Sequence, residues 1–513
     1  MVVEMFPPYP PELSPTQLSY LLQALTDYSL SHGLTVRPAE SFIPDKLSSN
    51  GAFATHAPIT LFPSPFPRSC WEEGRAVQKD FNELYARVAG NEEWLEKTMV
   101  ELSKVDDFTE RLYKVHLDVK AEGFVQPLSL GLFRSDYILH NIAPEDPKVL
   151  PVIHQVEFNT IASSFGALST RVSELHRHLA RVGAYPPDSI IKAENIPVSP
   201  ALQELAKGLA VAYKAYGSGG DGRSTAVLMI IQPGDKNIFD QRWLEYELLE
   251  KHSVQTYRIS LTDVPKLTDL APGTRALIYS PPHVPNTQIE ISTVYFRAGY
   301  GPGDYAGEDE WTARTTLERS KAIKCPSVIT QLAGAKKIQQ VLAIDGVVEG
   351  FLADKSVSSR VRGTFAAIHP LDESPAGVAA RKLALEKPDT YVLKPQREGG
   401  GNNIYRGDIP GFLKSIPESR WSGYILMELI EPPALENTII RNGGLMSGGV
   451  IGELGVYGAI LWKDGEGEER GKGLKEIVMN EEAGWLLRTK GKQSDEGGVA
   501  AGFGSVDAVL LVD

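Results

Sequence analysis

The chain has 513 residues, 42% of them hydrophobic and 23% charged, with a net charge of -13. That length exceeds what one hydrophobic core usually holds, so two or more structural units are expected. The acidic balance excludes a general nucleic-acid or acidic-membrane surface, and an anionic substrate must be met by locally gathered Lys and Arg.

The two cysteines, Cys70 and Cys325, lack metal-ligand spacing and point to a reduced compartment with no disulfide framework. The start MVVEMFPPYPPEL has neither the basic start nor the apolar core of a signal peptide, and no run approaches the ~18 apolar residues of a membrane span. A cytoplasmic enzyme is the expectation. Ser14 to Gln17 has the form of a capping box, with Pro15 at the first helical position and Leu13 and Leu18 set as a hydrophobic staple. Leu18, Leu21, Leu22, Leu25 and Tyr28 continue at helical spacing to Gly33. Residues 38–67, rich in Pro and Ser, read as an extended connection whose ITLFPSPF patch lies on a core. Between Gln78 and Val119, apolar positions such as Phe81, Leu84, Trp94 and Met99 predict two or three amphipathic helices whose role is packing.

QPLSLGLFRSDYILH places Arg134 in a loop after an apolar run. Val152 to Val156 reads as a strand, and Glu157 and Asn159 follow two residues apart, so their oxygens face one side. With a third carboxylate the pair suits a hard cation; the competing reading is an exposed strand end. Thr160 to Ser169 has the small residues of a ligand loop, before a helix from about Arg171 to Val182. Residues 216–225 have linker character. Strand, helix and strand then alternate as a separate α/β unit over 225–332, with Arg297 at a strand end and Tyr300 close behind.

LAGAKKIQQVL carries Lys336 and Lys337 into a helix, where neighbours point about 100° apart and only one reaches a given ligand. YVLKPQREGGGNNIY supplies the densest chemistry: a buried strand delivers Lys394, Pro395 stops the pairing, and Gln396, Arg397 and Glu398 precede Gly399, Gly400 and Gly401, then Asn402 and Asn403. Three glycines in a row allow positive φ, so successive NH groups can close around a phosphate. The adjacent Lys, Arg and Glu suit a magnesium nucleotide; a plain glycine-rich turn is the alternative. GYILMELIEP reads as a strand holding Met427 and Glu428. In GVIGELGVYGAILW, Glu453 needs a partner, whether ribose hydroxyls, a metal or a lysine. Residues 463–475 read as a solvated hairpin loop. LLRTKGKQSDEGGVAAGFGS, with Arg488, Lys490, Glu496, Gly497 and Gly498, reads as a closing loop in place of a frayed end.

Taken together, VEFNTIASSFGALSTR, NIFDQRWLEYELL, VYFRAGY, KCPSVITQLAGAKKIQQ, LKPQREGGGNNIY, YILMELIEP, GELGVYG and LLRTK with GGVAAG resemble the eukaryotic glutathione synthetase family in the same order, from about Gly131 to Gly502. The resemblance implies a mixed α/β chain with an ATP-grasp fold: an N-terminal helical and ATP-grasp region over 1–224, an inserted smaller α/β substrate-binding domain over 225–332, and a second ATP-grasp region with lid loops over 333–513. It implies Glu157, Asn159 and Glu398 as Mg2+ ligands. ATP would be contacted by Glu157, Lys336, the run Lys394 to Asn403, Tyr405, the segment Met427, Glu428, Leu429 and Ile430, and by Glu453, Lys490 and Glu496. The peptide and glycine substrates would be met by Arg134, Ile161, Ala162, Ser163, Ser164, Asp235, Lys236, Asn237, Gln241, Arg297, Ala298, Gly299, Tyr300, Arg488, Val499 and Ala500. Lys394, Arg488, Gly399 and Gly400 form the implied catalytic group. Ala162, Leu429, Gly303 and Glu496 depart from the serine, lysine, arginine and aspartate of better-known members.

The implied reaction joins γ-glutamylcysteine to glycine with ATP, by way of an acyl phosphate, and gives glutathione, ADP and phosphate. It needs no side-chain nucleophile, only offset of phosphoryl charge and exclusion of water. Another ATP-grasp carboxylate-amine ligase and a non-catalytic nucleotide-binding protein are the alternatives. The family likeness also implies a homodimer, with no nucleic-acid or membrane partner.

Overall fold

A computed structural model describes residues 9–39, 43, 53–143, 146, 149–492 and 504–513. Among these, thirteen strands form one mixed sheet and four more a second, smaller sheet. The site is built on four neighbouring strands of the large sheet: Val152–Asn159, Leu128–His140, Gly444–Asp464 and Leu474–Gly491, each antiparallel to the next. Period-two alternation sends side chains to opposite faces. From the Leu128–His140 strand, Phe133, Tyr137 and Leu139 enter one core, and Leu130 and Leu132 enter the other. Helices cover both faces, as an α/β architecture requires.

The first helix, Pro15–Ser31, carries the expected capping box: Gln17 N donates to Ser14 Oγ at 3.3 Å and Ser14 N to Gln17 Oε1 at 2.9 Å. The packing helices after Gln78 number three, Gln78–Gly90, Glu92–Ser103 and Asp107–Glu122, with Arg68–Ala76 ahead of them. Tyr85 stacks on Phe158 with ring centroids 3.9 Å apart, which seats the Val152–Asn159 strand on this layer.

Three sequence readings need correction. Arg134 lies inside the Leu128–His140 strand and not in a loop after it; a buried arginine is tolerated there because Asp136, two residues on along the same face, neutralises it. The helix expected from Arg171 begins five residues earlier and spans Gly166–Arg181, because its first NH groups are capped by a carboxylate from elsewhere in the chain. Residues 38–67 are more than a connection: Ile59–Thr60 sits between Glu436–Arg441 and Gly504–Asp507, and Ser64–Pro67 pairs with Val509–Val512. Buried Asp507 fastens this seam, accepting from Thr60 Oγ1, Ser64 Oγ and Thr489 Oγ1, each at 2.6 Å. Residues 463–475 do form the hairpin connection, through a short 3-10 turn at Gly467–Glu469.

The strand Gly444–Asp464 passes close to the helix Gln78–Gly90 at Gly458, where an added Cβ would stand 1.9 Å from Asn82 Oδ1. Gly458→Ala must displace an amide that also bonds Asn480 and the Glu481 carbonyl. It is expected to cost about 1–3 kcal/mol and to lower the melting temperature in differential scanning fluorimetry, whereas Gly411→Ala, where an added Cβ meets open space, should not.

Candidate active site

Strand register assembles the floor of the site. Arg134 stands opposite Asn159, Asp136 opposite Glu157, Gly455 opposite Asp136, Tyr457 opposite Arg134, and Arg488 opposite Glu453. Seven polar side chains therefore share one face of four adjacent strands: Arg134, Asp136, Glu157, Asn159, Glu453, Arg488 and Lys490. A shift of register between Asp136 and Tyr137 leaves Val156 unpaired, and its carbonyl accepts from Lys394 Nζ at 2.9 Å.

Opposite this floor stands the small sheet, in the order Ile368–Pro370, Tyr424–Glu428, Tyr391–Pro395 and Ile404–Tyr405. Between them lies a cavity of about 680 Å³. Of the residues named from sequence, the cavity is lined by Arg134, Glu157, Asn159, Ile161 to Ser164, Asp235, Asn237, Arg297, Tyr300, Lys394, Glu398 to Gly400, Asn403, Tyr405, Met427 to Ile430, Glu453, Arg488 and Lys490. Val392, Met427, Leu429 and Ile430 give the cavity an apolar stretch of wall, backed by Ala366 and Ile368. Gly399, Gly400 and Gly401 have φ of 93°, 72° and 77°, so all three need glycine.

Lys336 is buried just behind the cavity and joins the two sheets. Its Nζ stands 2.9 Å from Glu157 Oε2 and 3.2 Å from both Glu398 oxygens. Lys337 turns away to Asp372, as a 100° step requires. Burial raises Glu157, but the Lys336 and Lys394 ammoniums more than reverse it and hold that carboxyl well below its usual range. Burial pushes Glu398 up to about 7, against the pull of Lys336 and with the Glu157 charge adding to the rise. Lys394 is lowered by burial to about 8, partly offset by Glu157. Glu453, whose partner was left open between ribose, metal and lysine, ion-pairs with Arg488.

Several expected contacts take other places. Arg397 does not line the cavity: its Nη1 donates to Asp106 Oδ2 at 2.6 Å and so ties the glycine loop to the start of the Asp107–Glu122 helix. Gln396 fixes the same loop by bonds to Lys337 N and the Gly423 carbonyl. Gln241 supports Asp235 from behind at 2.5 Å. Lys236 is exposed, and Ala298, Gly299, Pro395, Gly401 and Asn402 lie beside the cavity lining without belonging to it. Glu496, Val499 and Ala500, with the rest of the expected closing loop, lie outside the described residues.

Three supporting residues escaped the sequence reading. Asp136 belongs to the floor but is fully buried and does not line the cavity; its spacing from Arg134 within an apolar run was the available signal. Asp240 accepts from Phe165 N at 2.8 Å and Ala167 N at 2.9 Å, capping the Gly166–Arg181 helix, and pairs with Arg297. Gln232 lines the cavity and donates to Tyr300 Oη and Asp304; Tyr300 in turn supports the glycine loop, where a Cβ on Gly399 would stand 3.1 Å from its ring.

The donor set fits a hard divalent cation. Glu157 and Glu398 converge on one positive charge, and Asn159 spends its amide nitrogen on the Arg134 carbonyl and Asp136, which leaves its oxygen for a ligand. Among the described residues no three His, Cys, Asp or Glu side chains form a closed cage. Two carboxylates and an amide make the open set that Mg2+ shares with phosphate oxygens.

Two sheets clasping such a cavity under a glycine loop define a nucleotide-dependent enzyme of ATP-grasp type. Residues 15–511 match the family model described as eukaryotic glutathione synthase, ATP binding domain. The chain is 37% identical to the glutathione synthetase large chain of Schizosaccharomyces pombe, over 97% of this chain and 98% of the relative, and 38% identical to human glutathione synthetase, over 96% of each. It is 39% identical to the chloroplastic glutathione synthetase of Solanum lycopersicum, over 90% of this chain and 79% of that one. A glutathione synthetase-like effector from Globodera pallida in the apo form shares the fold, with a TM-score of 0.71 at 22% identity over 98% of both chains. This chain belongs to the eukaryotic glutathione synthetase family.

Because burial brings Lys394 down to about 8, its ammonium is lost as pH rises through that value. ATP affinity measured by calorimetry is expected to fall by about tenfold per pH unit above it, and Lys394→Arg, which keeps its proton, should flatten the profile.

Proposed function

We infer that this protein is an ATP-dependent ligase that joins γ-glutamylcysteine to glycine and releases glutathione, ADP and phosphate. The observation that carries the reading is the convergence of Glu157, Asn159, Glu398 and Lys394 in one cavity beside a three-glycine loop, with Lys336 just behind it pairing both carboxylates. A carboxylate has no leaving group worth expelling, so the cysteinyl carboxylate is first phosphorylated by ATP and the glycine amine then displaces phosphate from the acyl phosphate. Lys394 and Lys336 place positive charge beside the phosphoryl oxygens as negative charge spreads over them. Bound Mg2+, held by Glu157, Asn159 and Glu398, supplies further charge neutralisation on the phosphates.

Buried Arg134 and Arg297 and the half-buried Arg488 line the cavity and offer positive charge to substrate carboxylates. The loop Ile161 to Ser164 and the segment Asp235 to Asn237 shape the same end of the cavity, while the apolar wall at Met427 to Ile430 receives the adenine. Closure of the glycine loop keeps water from the acyl phosphate. The chain divides at 1–224, 225–332 and 333–513, with the strands of the middle part joined to the site strands through Ile323–Cys325, which pairs with Leu128–His140 at Lys324 and Ser129. The enzyme works in the cytoplasm as a homodimer.

ADP release with γ-glutamylcysteine is expected to depend on glycine, with one amide formed per ADP. ADP release that ignores glycine would instead indicate a carboxylate kinase, and ATP binding without ADP would indicate a binding protein. Arg488→Ala should raise the glycine KM by about tenfold or more, the loss of one charged hydrogen bond, while changing the ATP KM little; steady-state kinetics with each substrate varied decides this.

A further inference from the structure

We propose that Asp136 is a positioning residue for this reaction: it holds Arg134 and Arg488 in place and turns the Asn159 amide so that oxygen, and not nitrogen, is presented to the cavity. The proposal rests on the reading of the cavity as a ligase site. Asp136 is fully buried and does not itself line the cavity, so it acts through others. Its Oδ1 accepts from Arg134 Nε at 2.5 Å. Its Oδ2 accepts from Arg134 Nη2 at 2.8 Å, Asn159 Nδ2 at 3.0 Å and Arg488 Nη2 at 2.8 Å. One carboxylate therefore serves three side chains from three different strands.

The chemistry of each contact is directional. Asn159 has two choices of amide orientation, and both groups facing its nitrogen, the Arg134 carbonyl and Asp136, can only accept. The oxygen is thereby committed to the cavity. The two guanidiniums repel each other; without the Asp136 charge between them, Arg488 would keep only Glu453 and Arg134 would keep no carboxylate partner. Arg134 carries the arrangement onward, since its Nη1 donates to the Ser164 carbonyl at 3.3 Å and so steadies the Ile161 to Ser164 loop. Room for the pair is built into the opposite strand: a Cβ on Gly455 would stand 2.8 Å from both Asp136 Oδ1 and Arg134 Cδ.

Two variants separate this role from simple charge balance. In Asp136→Asn the new carboxamide oxygen goes to the position with three donors, so Asn159 keeps its acceptor. The new NH2 then faces Arg134 Nε, and the arginine loses its grip. The KM for γ-glutamylcysteine is expected to rise about tenfold or more, while Mn2+ binding with a non-hydrolysable ATP analogue, followed by electron paramagnetic resonance, stays within about twofold. In Asp136→Ala the acceptor for Asn159 is gone, and Mn2+ binding should weaken about tenfold as well. An unchanged KM in Asp136→Asn, or wild-type Mn2+ affinity in a folded Asp136→Ala, overturns the proposal. So does a uniform loss of Mn2+, ATP and γ-glutamylcysteine binding in both variants with a lowered melting temperature, which marks a merely structural residue. If the alanine variant does not fold, the asparagine variant decides alone. Wild-type protein that forms no ADP defeats the ligase reading and not this one.

Discussion

A single ammonium set between two carboxylates holds the two halves of the site together. Lys336 comes from one helix, Glu157 from the large sheet and Glu398 from the loop between two strands of the small sheet. Lys336 is buried, so removing both carboxylates would leave its charge uncompensated, which costs about 3–5 kcal/mol. That penalty makes the relative placement of the sheets a consequence of electrostatics as much as of apolar packing. A divalent cation arriving with phosphates meets two carboxylates already brought together, so little reorganisation is needed.

The floor follows the same logic on a wider scale. Asp136, Glu157 and Glu453 are interleaved with Arg134, Arg488 and Lys490 across four strands, and burial sharpens every one of these interactions. Arg134 and Arg488 are both raised in pKa because the neighbouring carboxylates outweigh the burial that lowers them. They stay charged at any working pH and are fixed before substrate arrives. Pre-set cations of this kind spend no energy on reorientation as charge develops on a phosphoryl group or a carboxylate.

Local rules made part of this legible in the amino-acid sequence. The two-residue step from Glu157 to Asn159, the 100° step from Lys336 to Lys337 and the three consecutive glycines each follow from backbone geometry alone, and the structure has them as expected. The capping box at Ser14 is of the same kind. What escaped was set by partners far along the chain. Asp240 looked like an ordinary first-turn residue of its own helix, yet it caps a helix more than seventy residues earlier. Arg397 stood beside glycines and glutamate, and only the folded chain brings Asp106 close enough to turn it from the phosphates. Arg134, expected in a loop after the apolar run, continues the strand because Asp136 neutralises it.

The seam formed by Ile59–Thr60 and Ser64–Pro67 with Gly504–Asp507 and Val509–Val512 has a consequence for how the polypeptide is made. Segments separated by more than four hundred residues are immediate neighbours, and Asp507 supplies the side chain that gathers them. During translation the earlier segments emerge long before their counterparts exist. Their apolar surface and open backbone must wait, which favours shielding by chaperones over stepwise completion on the ribosome.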